Sequence, residues 1–258
     1  MTQATDDRTN PLKPLKWYRK LANRKGRLET GVFLFEGDKA ISQIMALNPE
    51  SIIEILTTDE PPEVYRNYPI RLVTESQFRA ICHTETPQGT AAVVRLPADI
   101  YTDRLPENTG SKILLLEDIQ DPGNVGTLIR TAAAFDFAGV ILTEKCADPL
   151  SPKCVQSTAG TVLSLWLRRT SRYLELAGTL QKKGYFFIAT DLNGSEATSV
   201  PSNHDRILLA LGNEAAGLSE TVLNASDYRL KIPFVREKAE SLNVAACGAI
   251  CMYLSYRK

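Results

Sequence analysis

From Lys112 onward the chain repeats one pattern: a short run apolar on both faces, a polar turn, then residues at helical spacing. The apolar runs are Lys112–Leu116, Gly139–Leu142, Tyr185–Thr190, Ile207–Leu211 and Tyr228–Ile232. Helical spacing falls over Asn124–Phe137, Pro152–Gly160, Arg172–Lys183, Gly217–Asn224 and Ser241–Tyr256. Strands without a polar face must be covered on both sides, which predicts an α/β fold with a parallel sheet between helical layers. The runs are far too short to cross a bilayer as helices. Ligands of such sheets gather beyond the carboxyl ends of the strands, so the loops that follow the runs are the first place to look for chemistry.

The region before Lys112 reads differently. Lys16 to Ala46 predicts two helices broken near Glu29-Thr30-Gly31, with apolar Val32-Phe33-Leu34-Phe35 between them. Ile52–Leu56, Ile70–Val73 and Ala91–Leu96 predict short strands, and Glu75–Cys82 a helix. Turn-forming residues crowd Leu96 to Gly110, including Pro97, Pro106 and Gly110, which predicts a linker. The expected organisation is a small α/β domain over residues 1–105 and a larger one over residues 111–258.

Hydrophobic residues make up 43% of the chain and charged residues 23%, which excludes disordered and collagen-like classes. The opening MTQATDDRTN has no apolar centre, so no signal peptide is expected. Five cysteines at irregular spacing do not form a disulfide framework; reduced thiols in a cytoplasmic protein are expected. Two histidines and no dense His/Cys/carboxylate cluster leave no metal centre to expect. His83 and His204 stand apart from any Ser–His–Asp pattern.

Net charge is zero, but it is unevenly placed. Residues 11–30 hold Lys13, Lys16, Arg19, Lys20, Arg24, Lys25 and Arg27 against Glu29, a local surplus of plus six, with Trp17 and Tyr18 among them. Basic side chains neutralise phosphates and aromatic rings stack on unpaired bases, so Lys16, Arg19, Lys20, Arg24 and Lys25 are candidate RNA contacts; a solvated helix face is the plainer alternative. Smaller basic groups recur at Arg168, Arg169 and Arg172, and at Arg229, Lys231, Arg236 and Lys238.

Three loops carry convergent polar groups. The first, Glu117 to Gly126, leads into a helix that Asp121 or Asn124 can cap, with Arg130 on its second turn. An arginine there can reach a phosphate or a ribose, or simply pair with a surface carboxylate. The second, Gly212-Asn213-Glu214-Ala215-Ala216-Gly217-Leu218-Ser219, has glycines that permit close backbone approach to a ligand. The third, Glu240 to Val244, enters the last helix, with Ser241 in position to cap it. No GxGxxG and no GxxxxGK[ST] occurs, so a dinucleotide or P-loop enzyme is disfavoured.

Asp121-Pro122-Gly123-Asn124-Val125-Gly126 with Arg130, Leu211-Gly212-Asn213-Glu214 with Gly217-Leu218-Ser219, and Ile232-Pro233 with Ser241-Leu242-Asn243-Val244 together resemble the SpoU/TrmH family of RNA ribose methyltransferases, part of the SPOUT superfamily. The likeness covers residues 111–256. Phe35-Glu36-Gly37 and Thr86-Pro87-Gln88-Gly89 are similar to segments of the small RNA substrate-binding domain that precedes the catalytic domain in many members. Two departures stand out: Ala215-Ala216 where a glycine and a polar residue are common, and a third-motif loop one residue longer, holding Arg236 and Glu237.

The resemblance implies a SPOUT-type parallel sheet with a C-terminal trefoil knot, which general topology rules would not have drawn. It implies S-adenosylmethionine as cofactor, held by backbone groups at Gly212, Ile232 and Leu242. It implies methylation of a ribose 2′-hydroxyl, with Arg130 at the hydroxyl and Asn124, Glu214, Ser241 and Asn243 shaping the catalytic pocket. Ribosomal RNA is the first substrate expectation and tRNA the second, with a homodimer as the acting form and no membrane or metal partner. A base-nitrogen methyltransferase and a non-catalytic RNA-binding or ribosome-assembly factor of the same fold are the competing readings.

Overall fold

The structure is a computed structural model in which residues 13–82, 87–97, 99–196, 204–235 and 237–256 are described. Two compact units emerge, one up to Pro97 together with Leu150–Gly160, the other Ala98–Pro149 with Thr161 onward.

The first unit begins with α1 (Leu15–Arg19) and α2 (Arg24–Thr30). The Asn23 side chain caps α2 by accepting from the Gly26 N–H at 2.8 Å, and left-handed Gly31 ends it. The apolar Val32–Phe35 stretch that follows is a strand, β1 (Val32–Glu36). Then come α3 (Asp38–Leu47), β2 (Ile52–Thr57), β3 (Ile70–Leu72), α4 (Glu75–Ile81) and β4 (Thr90–Arg95). Thr74 and Gln77 form a reciprocal capping box at the start of α4. The strands pair in the order β1-β4-β2-β3, with β4 antiparallel to both neighbours and β2 parallel to β3. Leu56, Phe78, Ile81 and Val93 pack beneath α1 with Tyr18 and Leu21. Each such side chain contributes about 1.5–3 kcal/mol by leaving water. A helix from further along the chain, Pro152–Thr158, also belongs to this unit.

In the second unit β5 (Lys112–Leu116) leads into α5 (Pro122–Ala134) and β6 (Gly139–Leu142). The Pro152–Thr158 helix is α6, and after it come β7 (Trp166–Arg169), α7 (Tyr173–Lys182), β8 (Phe186–Glu196), β9 (Ile207–Leu211), α8 (Glu220–Ala225), β10 (Tyr228–Lys231) and α9 (Val244–Tyr256). The six-stranded sheet has the order β10-β8-β9-β5-β6-β7, and every pairing is parallel. Leu116 pairs with Leu142 on one side and Leu211 on the other, so the ends of β5, β6 and β9 are level. The chain winds outward from β5 in one direction through β6 and β7, while β8, β9 and β10 lie on the other side. That places a topological switch point between β5 and β9.

β7 was not expected. It is the outermost strand, and Arg168 and Arg169 make it look like basic surface. Arg168 is instead buried, donating to the Arg104 carbonyl and the Asp99 carboxylate. Arg169 donates to the carbonyls of Glu144 and Cys146. Arg172 pairs with Glu175. Buried Arg168 is therefore no RNA contact, whereas Arg172 stays at the surface. Gly139 lies under the Trp166 ring, where a Cβ would come within 2.0 Å of it.

The last helix corrects another expectation. Asn243, not Ser241, caps α9: its Oδ1 accepts from the N–H groups of Ala245 at 2.9 Å and Ala246 at 3.2 Å. The helix sits low because Gly248 has no side chain; a Cβ there would lie 2.4 Å from Leu128 on α5 and 2.7 Å from Leu211 on β9. All five cysteines are free thiols, as expected. No described helix is long and apolar enough to cross a membrane.

Candidate active site

The switch-point loops meet through one carboxylate. Glu214, just past β9, accepts from the Asn124 side-chain amide at 3.0 Å. Its two oxygens also face the backbone N–H groups of Gln120 and Asp121, each at 3.4 Å. Asn124 in turn accepts from the side-chain amide of Asn243 at 3.1 Å. A single chain of hydrogen bonds thus runs from the loop after β9, through the loop after β5, to the cap of α9. Burial pushes the Glu214 carboxyl up, but the Asn124 amide and the surrounding backbone N–H groups outweigh it and hold the group below its ordinary range.

Each loop is also braced from below. Asp121 caps α5 by accepting from the Asn124 N–H at 2.9 Å, with Pro122 in the first helical turn where its missing N–H costs nothing. Buried Glu117 accepts from the Ser219 N–H and hydroxyl, both at 2.7 Å, and from the Tyr173 hydroxyl at 2.9 Å. Asp118 adopts a left-handed backbone, φ 56°, which is strained for a residue with a Cβ. In that conformation its carbonyl accepts from the Asn213 side chain at 2.8 Å, and its carboxylate accepts from Thr143 at 2.6 Å. Asn213 and Gly217 close the second loop on itself by exchanging backbone hydrogen bonds of 3.0 and 2.9 Å. Glu117, Asp118 and Thr143 were not singled out from sequence; the two carboxylates stood inside the first motif as acidic loop residues.

Asn124, Glu214 and Asn243 are therefore brought together. Arg130 lies on α5, exposed, with no carboxylate paired to it among the described residues. The plainer reading, an arginine held by a surface acid, is not what the structure shows. Ser241 is exposed beside this chain of bonds without joining it. Gly212 and Ile232 follow the carboxyl ends of β9 and β10, and Leu242 adjoins Asn243. A Cβ on Gly212 would lie 2.2 Å from the Gly217 carbonyl carbon, so only glycine permits the closed loop.

The candidate RNA contacts divide by exposure. Lys16, Arg19, Lys20, Arg24 and Lys25 are exposed. Arg19 donates to the Ala80 carbonyl at 2.9 Å, and Lys20 and Lys25 lie 3.8 and 3.9 Å from Glu29. Arg27, counted in the same basic run, is 1% exposed and donates to the carbonyls of Leu21 and Ala22. Tyr18 is buried against Glu54 and presents no ring for base stacking. Among the other basic groups, Arg229 meets Asn224 and Asp191, and Lys231 meets Glu196. His83, Thr86 and Arg236 lie outside the described residues.

A parallel α/β sheet with its switch-point loops locked to a C-terminal helix cap, preceded by a smaller mixed-sheet unit, defines a SPOUT-type methyltransferase. The chain belongs to the SpoU rRNA methylase family, whose model matches residues 111–253. An MRM3-like substrate binding domain matches residues 13–92. The 23S rRNA (guanosine(2553)-2′-O)-methyltransferase RlmP of Bacillus subtilis is 33% identical over 245 residues, covering 93% of this chain and 94% of that protein. The 23S rRNA (uridine(2479)-2′-O)-methyltransferase of Streptomyces viridochromogenes is 28% identical, with coverage of 94% and 88%. The crystal structure of the SpoU methyltransferase AviRb from Streptomyces viridochromogenes, in complex with the cofactor AdoMet, superposes with a TM-score of 0.81 at 27% identity. That match covers 96% of this chain and 98% of the other.

Proposed function

We propose that this protein transfers the methyl group of S-adenosylmethionine to a ribose 2′-hydroxyl of structured ribosomal RNA, with tRNA as the second substrate class. The observation that carries the reading is the hydrogen-bond chain Glu214–Asn124–Asn243, with Arg130, unpaired among the described residues, on the same helix as Asn124. The relatives named as 23S rRNA 2′-O-methyltransferases support the choice of ribosomal RNA.

The residues present fit the methyl donor. Residues 117–126, 212–219 and 241–244 contain no lysine or arginine, while Asp121 and Glu214 supply negative charge; Asp118 is paired with Lys145 at 3.2 Å. That balance suits a cationic sulfonium ligand. Backbone groups at Gly212, Ile232 and Leu242 would hold it. When bound, it supplies an activated methyl group whose departure discharges the sulfonium. A guanidinium is a poor base, so Arg130 acts by donating to the ribose oxygen or its neighbouring phosphate and stabilising the developing alkoxide, while the hydroxyl proton leaves to solvent at this exposed opening. Asn124 and Asn243, each tied by its partner, fix the geometry in which the hydroxyl oxygen faces the methyl carbon. Ser241, exposed next to them, contributes a hydroxyl to the same opening.

The acting form is a homodimer with the C-terminal trefoil knot of the family. Ile250, Tyr253 and Tyr256 leave apolar surface exposed on α9, a helix that is apolar all round. The first unit captures RNA through Lys16, Arg19, Lys20, Arg24 and Lys25, and the protein works in the cytoplasm.

Arg130→Ala tests the assignment. Methyl transfer to ribosomal RNA lacking the modification should fall by about a hundredfold or more, as when an alkoxide-stabilising donor is removed. Calorimetric affinity for S-adenosylmethionine should be unchanged. Wild-type turnover in the variant would overturn the role of Arg130. A wild-type protein that binds no S-adenosylmethionine would favour the non-catalytic assembly factor.

A further inference from the structure

The first unit has an open polar cleft at one end of its sheet, of about 260 Å³. It is lined by Thr58 and Asp59 after β2, Phe78 and Arg79 on α4, and Gln88 and Gly89 before β4. The two segments that carry the likeness to the substrate-binding domain meet here. Glu36 accepts from the Gln88 N–H at 2.9 Å, and Gly37, at φ 99°, leaves room for the Gln88 side chain, whose Oε1 would lie 2.5 Å from a Cβ at that position. Gly89, at φ 76°, lets the Thr58 hydroxyl approach where a Cβ would come within 2.8 Å. Both glycines therefore shape the wall rather than a turn alone.

Two groups in this cleft have unused bonding capacity. Among the described residues, the Asp59 carboxylate accepts only from neighbouring Thr58, at 3.1 Å, and the Gln88 side-chain amide has no partner. With Glu75 at the rim and Arg79 the one cation among the lining residues, the cleft is net acidic. An acidic lining repels phosphate and favours a neutral group rich in donors. Phosphate contacts have a separate place nearby: α1 packs against α4, and Arg19 of the basic run donates to Ala80 on that helix. RNA backbone along α1 would bring an unpaired base to the cleft beyond α4.

We propose that this cleft seats an unpaired guanine of the RNA substrate, away from the methylated nucleotide. This rests on the reading of the protein as an RNA methyltransferase. Guanine presents N1–H and N2–H side by side, which a carboxylate accepts with both oxygens, and its O6 is an acceptor for the Gln88 amide. Adenine and cytosine offer mixed edges, and uracil a single donor between two acceptors. Asp59 and Gln88 are then specificity-determining residues for RNA docking.

The test uses the full-length, 15N-labelled protein titrated with GMP, AMP, CMP and UMP. GMP should shift the Gln88 side-chain amide and Gly89 N–H signals at several-fold lower concentration than the other nucleotides. Asp59→Asn should abolish that preference while leaving the rest of the spectrum in place. Equal shifts with every nucleotide, no shift at millimolar nucleotide, or a preference retained in Asp59→Asn would each overturn the proposal. A parallel assay on undermethylated ribosomal RNA separates the two readings. Asp59→Asn should raise KM for RNA several-fold at unchanged kcat and unchanged S-adenosylmethionine affinity. If the variant keeps the wild-type KM, the guanine cleft fails alone; if wild type methylates no RNA, the methyltransferase reading fails while the titration still reports on the cleft.

Discussion

Glu214 shows how one side chain can tie together loops that lie far apart in sequence. Its carboxylate is the acceptor on which the first loop's amide and backbone donors converge, and the role proposed for it is positioning. Glu214→Gln halves the acceptor capacity and puts an N–H₂ against donors. The variant should bind S-adenosylmethionine several-fold more weakly by calorimetry. Because folding holds the carboxyl below its ordinary value of 4.5, its contribution is fully present above that value and is lost as pH falls through the lower folded one. Cofactor affinity of the wild type should therefore drop at acidic pH below the ordinary carboxylate range, and the Gln variant should lack that component. An identical pH profile in both proteins would contradict the assignment. Tyr173 moves in the opposite sense: burial, then the Glu117 hydrogen bond and charge, push it up to about 12, so it stays a donor to Glu117 throughout the working range. Arg27 and Tyr18 mark where residue type misleads. A basic residue and an aromatic in a basic run read as RNA contacts, yet both are buried: Arg27 donates to the nearby carbonyls of Leu21 and Ala22, and Tyr18 to the distant Glu54 carboxylate.

At the scale of elements, the buried strands were legible because a strand covered on both faces admits almost no polar residue, and β5, β6 and β9 follow their apolar runs residue for residue. The edge strand β7 was not, since an outer strand tolerates arginines whose partners, Asp99 and the carbonyls of Arg104 and Glu144, are distant in sequence. Caps depend on where the first helical turn falls, and a shift from Ser241 to Asn243 is within the uncertainty of reading a boundary from side-chain type. The three motif loops were legible as candidates, but the bracing by Glu117, Asp118 and Thr143 was not, because it joins strand ends that only the sheet order brings level. The loop after β9 carries the sharpest element-scale prediction. In Gly212→Ala, backbone meets side chain: the new Cβ would lie 2.2 to 2.4 Å from the Gly217 carbonyl group and the Leu218 nitrogen. Neither can rotate away, so the Asn213–Gly217 closure must open. The variant should keep its circular dichroism, lose about 1–3 kcal/mol of stability in denaturant titration, and bind S-adenosylmethionine far more weakly. Unaltered cofactor binding would show that the closed loop is dispensable.

For the whole molecule, the zero net charge hides a division between its parts. The exposed lysines and arginines of α1 and α2 concentrate positive charge on the first unit, whereas the loops after β5 and β9 in the second carry carboxylates and no cation. Such a protein gains little RNA affinity from bulk charge and must rely on a local patch and on shape. If the patch makes phosphate contacts, binding has a salt dependence set by the few side chains involved. Each phosphate contact contributes a slope of about −0.7 to −0.9 in log affinity against log salt. Replacing Lys16, Lys20 and Lys25 together by Ala should weaken capture of ribosomal RNA fragments uniformly across sequences, flatten the salt slope, and leave both the melting temperature and S-adenosylmethionine affinity unchanged. Arg27→Ala provides the contrast. Its guanidinium is buried and bonded to the carbonyls of Leu21 and Ala22, so that change should lower the melting temperature, with any RNA defect following from lost structure. Equal salt slopes in the triple variant and the wild type would move RNA capture away from α1 and α2 to another surface.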